Sequence, residues 1–442
     1  MSSKKPETDT GQARGLDPCL AAWPGAGSIV VAFSGGPDSA CLLHLLAEQN
    51  PTRPLQAIHI DHGLDRGSRQ RAARAKEMAE ALDIPCRVER VQVRRSGSIE
   101  ANARHARYEV LMRYIGSGDV LLTAHHADDV AETLLLRLLR GSGPGGLGGI
   151  PGQRRFGGGH LIRPLLGWRR EEIQAYLDRH QVISIRDPAN DLVSLDRNFL
   201  RHEILPLLRG RFPGCVQAFN RTARLNRAAG EVLAQLADSD LERIEAPGPC
   251  LPLEALCKLE PFHRAEVIRR WCLRHDRTPP PGQRLDEFMR QIDHAAADRQ
   301  PILDWEEGRL QRHGAGIWLR SPARAQVAWR LRWDGADVLQ LPEPSGSLRF
   351  SAPPPRFELS VRSGSNGERL RLHPNSGRRP VKKILAEAGV PPWQRNEWPR
   401  IWRDNRLVAL GDRWLDPAFS RLLQEHGVQL FWHSELRRHG HA

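Results

Sequence analysis

The chain has 442 residues, of which 40% are hydrophobic and 26% charged, and it carries a formal net charge of +13. This length predicts two to four domains. The composition is typical of soluble globular proteins and excludes a membrane-embedded or wholly disordered chain. The arginine-rich excess of positive charge suits a polyanion such as nucleic acid, or an arginine bias spread over solvated surfaces.

The N-terminal stretch and the cysteines indicate the compartment. Residues 1–27 are polar and lack the apolar core of a signal peptide, so we expect a disordered tail on a cytoplasmic protein. The seven cysteines include no C-x-x-C pair and no zinc-like spacing. We therefore expect reduced thiols that fill apolar space.

The first predicted element is a strand, Ser28–Phe33, which leads through a glycine–serine loop, Ser34–Ser39, into an apolar helix, Ala40–Glu48. Two glycines let the backbone approach an anion closely, and the amides of the new helix point at it. The loop lacks the lysine of a Walker A sequence and the glycine spacing of a dinucleotide site. Asp38 would repel phosphate, so it either caps the helix or binds Mg²⁺ or a cationic substrate.

Strands and helices then alternate, which predicts a parallel sheet with right-handed crossovers. The further elements are the strands Leu55–Ile60, Cys86–Val93 and Asp119–Ala124 and the helices Ser68–Leu82, Glu100–Ile115 and Val130–Arg140. Ligands of such sheets bind beyond the carboxyl ends of the strands. We therefore expect the loop, residues 59–64 and residues 123–129 to surround one crevice. Asp61 and His62 there either bind nucleotide or form a polar turn.

Acids are concentrated at the third crevice segment, where Asp128, Asp129 and Glu132 follow His125 and His126. Asp129 and Glu132 fit a D-x-x-E capping box, which would explain both structurally. Paired carboxylates beside a phosphate loop otherwise hold Mg²⁺ or a substrate ammonium, and we favour that role for Asp129 over Asp128. Adjacent histidines point in different directions, which favours hydrogen bonding over metal ligation.

The rest of the chain predicts further helices and a boundary. Gly141–Gly149 is too rich in glycine for regular structure and predicts a mobile active-site linker. Helical patterns resume at Arg169–His180 and Asp196–Arg209. From about residue 225 the pattern is mainly helical and closes with short strands. Pro342–Pro355 resembles a domain boundary, and Phe357–Trp432 mixes short strands with one helix.

Basic residues form three candidate phosphate-binding groups. Arg104 and Arg107 lie at i, i+3 on one predicted helix, where a salt-bridged surface is the alternative, and Arg197 and Arg201 share a face of another. The third group is interleaved with tryptophans near the C-terminus, which suits phosphate contact and base stacking in RNA. Its members are Arg378, Arg379, Lys382, Lys383 and Arg395.

Together these residues resemble the PP-loop ATP pyrophosphatases and, within that superfamily, the tRNA(Ile)-lysidine synthetases. The loop has the S-G-G-x-D-S pattern that many ligases of the superfamily share. The more specific matches are His59–Leu64, Glu100 with Arg104, Arg107 and Tyr108, His125–Thr133, Arg140–Gly143, Arg163–Leu166, Asp187–Asn190, Arg197–Arg201 and Lys382–Arg395. The resemblance covers nearly the whole chain after the tail.

The resemblance implies an α/β fold class with three domains. These are a parallel-sheet, Rossmann-like PP-loop catalytic domain at 28–224, a mainly helical tRNA-binding middle domain at 225–341, and a small α+β tRNA-binding domain at 357–435. It also implies a ligase that uses ATP and Mg²⁺ to attach L-lysine to the wobble cytidine of the CAU anticodon of tRNA(Ile). ATP would adenylate the cytosine carbonyl and release pyrophosphate, and the lysine amine would then displace AMP.

The resemblance further implies roles for individual residues. Those expected to bind ATP are Ser34, Gly35, Gly36, Pro37, Asp38, Ser39, Ile60 and His62. The expected catalytic set has Asp38 and Asp129 holding Mg²⁺ or lysine, Glu132 holding the lysine amine, and Arg104 and Arg201 contacting phosphate or the adenylate. Arg197 and the C-terminal basic group are expected to bind tRNA.

Three rival functions follow from the same residues. A PP-loop tRNA thiolase would usually carry paired cysteines, and no C-x-x-C is present. An amidating synthetase would need an ammonia source, and nothing in the chain resembles a glutaminase. A non-catalytic RNA-binding protein with only a nucleotide loop would not need the acids of the crevice.

Overall fold

The computed structural model describes residues 27–49, 51–65, 67–93, 99–186, 196–244, 248–294, 299–322, 328–354, 357–365 and 367–434. Residues 1–26 of the predicted tail and residues 187–190 lie outside these ranges. The described residues form two compact units. The first comprises residues 27–244, 261–271 and 281–283, and the second comprises residues 248–260, 272–280 and 284–434.

A six-stranded sheet forms the centre of the first unit. Its strands are β1 (Ile29–Ala32), β2 (Leu55–Asp61), β3 (Cys86–Arg90), β4 (Val120–Leu122), β5 (Gln153–Phe156) and β6 (Gly159–Ile162), in the order β3-β2-β1-β4-β6-β5. All neighbours are parallel except the edge pair β5–β6. Val30 and Val31 of the central strand are fully buried, because helices cover both faces and a parallel strand can then be continuously apolar.

Helices surround this sheet and extend beyond it. They are α1 (Pro37–Gln49), α2 (Ser68–Glu80), α3 (Ile99–Met112), α4 (Ala127–Leu139), α5 (Pro144–Leu147), α6 (Arg170–Arg179), α7 (Asp196–Phe199), α8 (Leu205–Arg211) and α9 (Cys215–Ile244). The long α9 packs on α4, where Ala223 lies against Val130 and Leu134. Asn220 Nδ2 also donates a hydrogen bond to the carbonyl of Ala127 at 2.8 Å. These contacts fix the helix that carries the crevice acids.

The glycine-rich segment differs from the prediction of an irregular linker. Residues 144–147 form the short helix α5, and two arginines bind the carbonyls around it. Arg137 Nη1 donates to Gly149 at 2.9 Å, and Arg227 Nη2 donates to Ile150 at 2.6 Å. The prediction of a structureless segment is therefore wrong here, because side chains distant in sequence satisfy its backbone.

The single helix predicted over Asp196–Arg209 is divided in the structure. A π-helical turn, Leu200–Ile204, lies between α7 and α8. Pro206 has no amide hydrogen to donate to the carbonyl four residues earlier, which fits a widened turn directly before it. Arg201, one of the predicted site residues, lies in this turn.

The second unit is built from antiparallel sheets and short helices. One sheet has the order β7-β10-β9-β8, with β7 (Cys250–Pro252), β8 (Ile302–Trp305), β9 (Gly308–His313) and β10 (Gly316–Arg320). The helices of this part of the chain are α10 (Leu253–Cys257), α11 (Pro261–Arg274), most of which belongs to the first unit, and α12 (Gly282–His294). The mainly helical middle region is thus confirmed, and its sequence also includes the strands of a small sheet.

Three further sheets and two helices complete the second unit. The strands are β11 (Arg330–Trp333), β12 (Leu339–Gln340), β13 (Ser347–Phe350), β14 (Leu359–Arg362), β15 (Arg369–Leu370), β16 (Arg379–Pro380), β17 (Arg400–Arg403), β18 (Arg406–Leu410), β19 (Trp414–Leu415) and β20 (Leu430–His433). They pair as β11-β14-β17-β18-β19, β12-β13-β20 and β15-β16, with α13 (Val381–Glu387) and α14 (Pro417–Glu425) beside them. Leu348, Val361 and Trp432 share one core, so packing continues through the proline-rich stretch.

The α/β class with a parallel-sheet N-terminal domain and a small α+β C-terminal region is confirmed. Among the described residues, no helix combines the length and apolarity that a bilayer crossing requires.

Candidate active site at the carboxyl edge of the parallel sheet

The phosphate loop between β1 and α1 has the geometry that its sequence predicts. Gly35 has φ +79°, and a Cβ atom there would lie 2.6 Å from Cδ1 of Ile185. The carbonyl of Gly35 accepts a hydrogen bond from the amide of Ile185 at 2.8 Å. Only glycine combines this backbone conformation with so close a neighbour.

The two serines of the loop face each other at the start of α1. Their hydroxyl oxygens lie 3.0 Å apart, and Ser39 Oγ donates to the carbonyl of Gly36 at 3.0 Å. The helix begins at Pro37, a residue suited to the first helical position because its missing amide hydrogen has no partner there. The loop therefore brings two hydroxyls and the positive end of a helix dipole together at the start of α1, an arrangement that suits an anion.

The first turn of α4 is capped by His126 together with Asp129. His126 is the N-cap, and its backbone amide donates to Asp129 Oδ2 at 2.9 Å. The amide of Asp128 donates to His126 Nδ1 at 3.3 Å. The capping box is thus His126 with Asp129, and the alternative box of Asp129 with Glu132 does not form because the helix begins at Ala127.

His126 lies between carboxylates of the crevice. Its Nδ1 also lies 3.4 Å from Asp128 Oδ2. Nε2 lies 3.6 Å from Asp38 Oδ1 and 3.6 Å from Asp129 Oδ2. The buried imidazole thus joins the phosphate loop to the amino end of α4.

Two arginines bind the acids of α4 and form what we call the charge box: Asp129, Glu132, Arg197 and Arg201. Arg197 donates through Nε to Glu132 at 2.6 Å and through Nη2 to Asp129 at 2.7 Å. Arg201 donates to the Glu132 carboxylate through Nε at 2.6 Å and Nη2 at 3.0 Å, and to Asp129 at 3.2 Å. The two negative and two positive charges balance, and Glu132 is fully buried.

Asp128 is also fully engaged. Its Oδ2 accepts from the backbone amide of Arg170 at 2.9 Å, and its Oδ1 is bound by the guanidinium of Arg209. Arg209 also lies 3.1 Å from Glu171. Asp128 therefore ties α4 to α6 and α8, which agrees with its lower ranking as a catalytic candidate.

Asp38 and Asp129 have opposite pKa shifts. Burial raises the pKa of Asp38 above its ordinary value; attraction to His126 offsets part of this, and repulsion from Asp129 adds to it. Burial alone would raise the pKa of Asp129 as well, but His126 and Arg197 outweigh burial and hold it far below its ordinary value. Among the described residues, Asp38 makes one ion-pair contact, that with His126. Its charge is the less compensated of the two.

A second positive cluster surrounds Tyr108 on α3. The guanidinium carbons of Arg104 and Arg154 lie 5.0 and 5.4 Å from its ring centre, and Arg107 lies at 5.7 Å. Burial opposes ionisation of the phenol, but Arg104 and Arg107 outweigh it and lower the pKa of Tyr108. This concentration of guanidinium groups favours an anion.

His125 lies near this cluster and stays neutral. Burial lowers the pKa of His125 to about 3, with contributions from Arg163 and Arg104. Its Nδ1 lies 3.0 Å from the hydroxyl of Thr123. A neutral, hydrogen-bonded ring agrees with the role that the sequence favoured.

A cavity of about 580 Å³ opens beyond β2 and β3. Its lining includes His62, Gly63 and Arg90, whereas the side chain of Ile60 is packed in the core. Asp61 Oδ1 accepts from the amide of Gly63 at 2.9 Å and shapes the turn beneath the cavity. Its volume suits a small organic ligand.

The C-terminal basic residues are described within the second unit alone. Arg378, Lys382 and Lys383 are exposed, while Arg379 pairs with Glu387. Arg395 donates through Nε to the carbonyl of Val390 at 2.9 Å. The exposed cations of this group are thus Arg378, Lys382 and Lys383.

Sequence comparison relates the chain to known proteins. The PP-loop domain matches residues 11–208, the TilS substrate binding domain residues 251–318 and the TilS substrate C-terminal domain residues 359–432. The tRNA(Ile)-lysidine synthase of Alkalilimnicola ehrlichii is 40% identical over 91% of this chain and 94% of its own length. Those of Xanthomonas axonopodis pv. citri and Pseudomonas aeruginosa are 36% and 39% identical, over 94% and 89% of this chain and 96% and 91% of theirs.

The chain belongs to the tRNA(Ile)-lysidine synthase family. As a family member it is a ligase-type, tRNA-modifying enzyme with an ATP-binding PP-loop domain, and the functional prediction is confirmed at that level. ATP is the co-substrate and tRNA the substrate class. The thiolase alternative is disfavoured, since the relatives and both TilS domains agree on the synthase.

Sequence reasoning missed several residues that shape this family member's crevice. Ile185 covers the phosphate loop, Arg209 and the amide of Arg170 hold Asp128, and Arg154 joins the Tyr108 cluster. Among these, the sequence pointed only to the partners of Asp128, since an acid that becomes buried requires a partner.

The loop geometry predicts a difference between the two adjacent glycines. Gly35→Ala should lower the free energy of unfolding by about 1–3 kcal/mol, because the positive φ and the contact with Ile185 both become strained. Gly36→Ala is the control, since its Cβ would lie 3.4 Å from Ser34 Oγ, an ordinary contact. Thermal unfolding without ATP measures the stability of both variants. Equal midpoints for Gly35→Ala and Gly36→Ala would contradict the account of Gly35.

The opposite pKa shifts predict opposite effects on stability. Asp129→Asn should lower the free energy of unfolding at pH 7 by about 3–5 kcal/mol, because it removes a buried charge and leaves two partly buried arginines short of an acceptor. Asp38→Asn should raise the thermal midpoint of the substrate-free protein by about 1–3 °C, because it removes a charge that burial disfavours.

The pH dependence of stability tests the direction of both effects. The stabilisation from Asp129 is present above the unfolded pKa of about 3.9 and is lost as pH falls through the lower folded value. The penalty from Asp38 is present above its raised folded pKa, so the gain in Asp38→Asn should vanish as pH falls toward about 4. Thermal unfolding at several pH values measures both effects. A lower midpoint for Asp38→Asn than for the wild type at pH 7 would show that the charge of Asp38 is not unfavourable.

Proposed function

We propose that this enzyme attaches L-lysine to the wobble cytidine of the CAU anticodon of an isoleucine tRNA, with Asp38 as its main contact for positive charge. One observation supports Asp38 most directly. Within the described part of the crevice, Asp128, Asp129 and Glu132 are all bound by arginine side chains, whereas Asp38 is not. A carboxylate in that state beside a phosphate loop suits a substrate ammonium or a metal ion.

The first step activates the cytosine. The ring carbonyl oxygen at C2 attacks the α-phosphorus of ATP, the bond to the bridging oxygen breaks, and pyrophosphate leaves. The Ser34–Ser39 loop would hold the departing pyrophosphate with its amides, its hydroxyls and the start of α1. The cavity beside His62 would hold the adenosine, because it lies beyond β2, the strand that pairs in parallel with β1, and β1 leads into the loop.

Guanidinium groups would stabilise the charge that develops on the α-phosphate. Arg201 uses Nε and Nη2 for its hydrogen bonds in the charge box. A guanidinium has five N–H donors, so Nη1 of Arg201 would contact the adenylate. Arg104, in the positive cluster around Tyr108, would contribute from the α3 side.

The second step forms the C–N bond. The lysine amine attacks C2, and AMP leaves with the former carbonyl oxygen. The ammonium must first lose a proton, and Asp38 would accept it when it holds no metal ion, because a carboxylate with a raised pKa is a stronger base than an ordinary one. Asp129 and Glu132, held by the arginines, would orient the amine at the edge of the charge box.

Mg²⁺ fits the same residues mainly through Asp38. Both oxygens of Asp129 already accept hydrogen bonds, Oδ1 from the arginines and Oδ2 from the amide of His126. Asp38 accepts none from the described residues, so its oxygens suit a hard cation shared with ATP phosphates. The ion would neutralise charge on the phosphates, with Asp129 as a secondary ligand.

The tRNA would bind partly through the C-terminal basic group. Arg378, Lys382 and Lys383 are exposed cations near one short helix, as phosphate contacts require. Arg379 and Arg395 would contribute less, because each has a partner within its own unit. Arg197 would act on tRNA only through the charge box that it completes.

The proposed reaction predicts lysine transfer to one tRNA. The protein, ATP, labelled L-lysine and unfractionated tRNA should place label in an isoleucine tRNA with a CAU anticodon. Asp38→Asn should reduce the rate by about 10²–10⁴-fold, because it removes the base and the cation contact. Asp178→Asn, an exposed acid on α6, serves as the control.

Two results would count against this proposal. Absence of label in any tRNA, while ATP and tRNA both bind, would refute the substrates. Near-normal transfer by Asp38→Asn would leave the reaction standing and refute the role of Asp38.

The basic group predicts a salt-dependent loss of tRNA affinity. The triple variant Arg378→Glu, Lys382→Glu and Lys383→Glu should bind tRNA more weakly and show a flatter dependence of log affinity on log salt, by up to about 3 in slope. The double variant Arg406→Glu and Arg421→Glu, at exposed positions of the same unit, is the control. Unchanged affinity of the triple variant at physiological salt would exclude this surface from tRNA binding.

A further inference from the structure

Two histidines and a glutamate converge where the last turns of α1 lie against the end of α6, at the end of α1 remote from the phosphate loop. His44 and Glu48 are four residues apart on α1 and so share one face, and His180 directly follows α6. One ring nitrogen of each histidine and one oxygen of Glu48 lie within 4.8 Å of one another. None of the three has a role in the chemistry proposed above.

Tyr176 of α6 orients this cluster. Its hydroxyl donates to Glu48 Oε2 at 2.9 Å and lies 2.9 Å from His44 Nδ1. The hydroxyl has one hydrogen, so His44 Nδ1 must donate to it. In the neutral ring, the other nitrogen of His44, Nε2, then has no hydrogen, which is the form in which imidazole binds metals.

His180 is held by the same tyrosine. Its ring stacks on Tyr176 with 4.2 Å between centroids and an interplanar angle of 25°, and its Nδ1 lies 3.4 Å from Glu48 Oε1. A hydrogen-bond partner or stacking neighbour that fixes an imidazole is a common feature around metal ligands. All three candidate ligands are thus oriented before any ion binds.

No lysine or arginine of the described residues balances the charge of Glu48. Within the described residues its hydrogen-bond and ion-pair partners are Tyr176 and His180. A divalent cation between Glu48 and the two imidazoles would supply that balance. Two nitrogen donors and one carboxylate form a set that favours zinc and its neighbours over magnesium, which prefers oxygen ligands.

We propose that His44, Glu48 and His180 bind one borderline divalent transition-metal ion, zinc in the first instance, which clamps α6 to α1. Three donors within 4.8 Å of one another place a central ion under about 3 Å from each, so shifts of less than about 1 Å reach the ~2.0–2.2 Å of zinc bonds. Water would complete a tetrahedral site. If the three side chains bind no metal ion, the cluster is a network of polar hydrogen bonds.

The test uses the full-length protein, stripped with a chelator and kept in saturating Mg²⁺ without nucleotide. Competition with a chromophoric chelator measures zinc binding, and the visible spectrum of bound Co²⁺ reports coordination by nitrogen ligands. The wild type should bind one equivalent tightly, which His180→Ala and Glu48→Gln should lose. The control variant His105→Ala, at a surface histidine of α3, should still bind the tight equivalent. The C-terminal histidines are present in all these proteins, so any zinc that they bind does not differ between the variants.

Stability gives a second readout. Zinc should raise the thermal midpoint of the wild type by about 3–6 °C, because it binds the folded form, and should not raise that of Glu48→Gln. Glu48→Gln keeps an acceptor for Tyr176, so its ATP affinity and circular dichroism should match the wild type and show that it folds. Equal zinc stoichiometry and affinity in wild type, His180→Ala and Glu48→Gln would overturn the proposal, as would the absence of a tight equivalent in the wild type.

Discussion

The charge box on α4 determines the arrangement of the crevice. Removing ions such as Asp129 and Glu132 from water costs several kcal/mol each, and that cost is offset only when cations and hydrogen bonds replace the lost solvation. Arg197 and Arg201 supply both to the two acids. Asp129 simultaneously caps α4 through the amide of His126, so one carboxylate joins the helix start, the imidazole and the arginines.

This pairing has a functional consequence for the remaining acid. Once the arginines neutralise Asp129 and Glu132, and Arg209 neutralises Asp128, Asp38 keeps its charge in a partly buried position opposite His126. Because burial disfavours this charge, the pKa of Asp38 is raised. Perturbed groups of this kind are concentrated at functional sites, and an arriving ammonium or Mg²⁺ would relieve the penalty. The enzyme would thus use an unfavourable charge to bind its cationic substrate.

Local patterns made the sheet and the phosphate loop predictable, whereas partners distant in sequence were not. The apolar run of β1 and the glycines before α1 specify their structures within a few residues. Arg197 and Asp129 are 68 residues apart, and nothing local distinguishes an arginine that binds an acid from one that faces RNA. The edge strand β5 was missed because Gln153–Phe156 is mostly exposed and carries two arginines. Tyr176 and His44 likewise meet only through the packing of α6 on α1.

A double-mutant cycle between Glu132 and Arg201 tests the charge box most directly. The free energies of unfolding of wild type, Glu132→Gln, Arg201→Met and the double variant give the coupling between the two side chains. A buried, bidentate pair predicts a coupling of about 2 kcal/mol or more, with the double variant more stable than the two single losses imply. Additivity within about 0.5 kcal/mol would show that Arg201 does not serve Glu132 and would contradict the account.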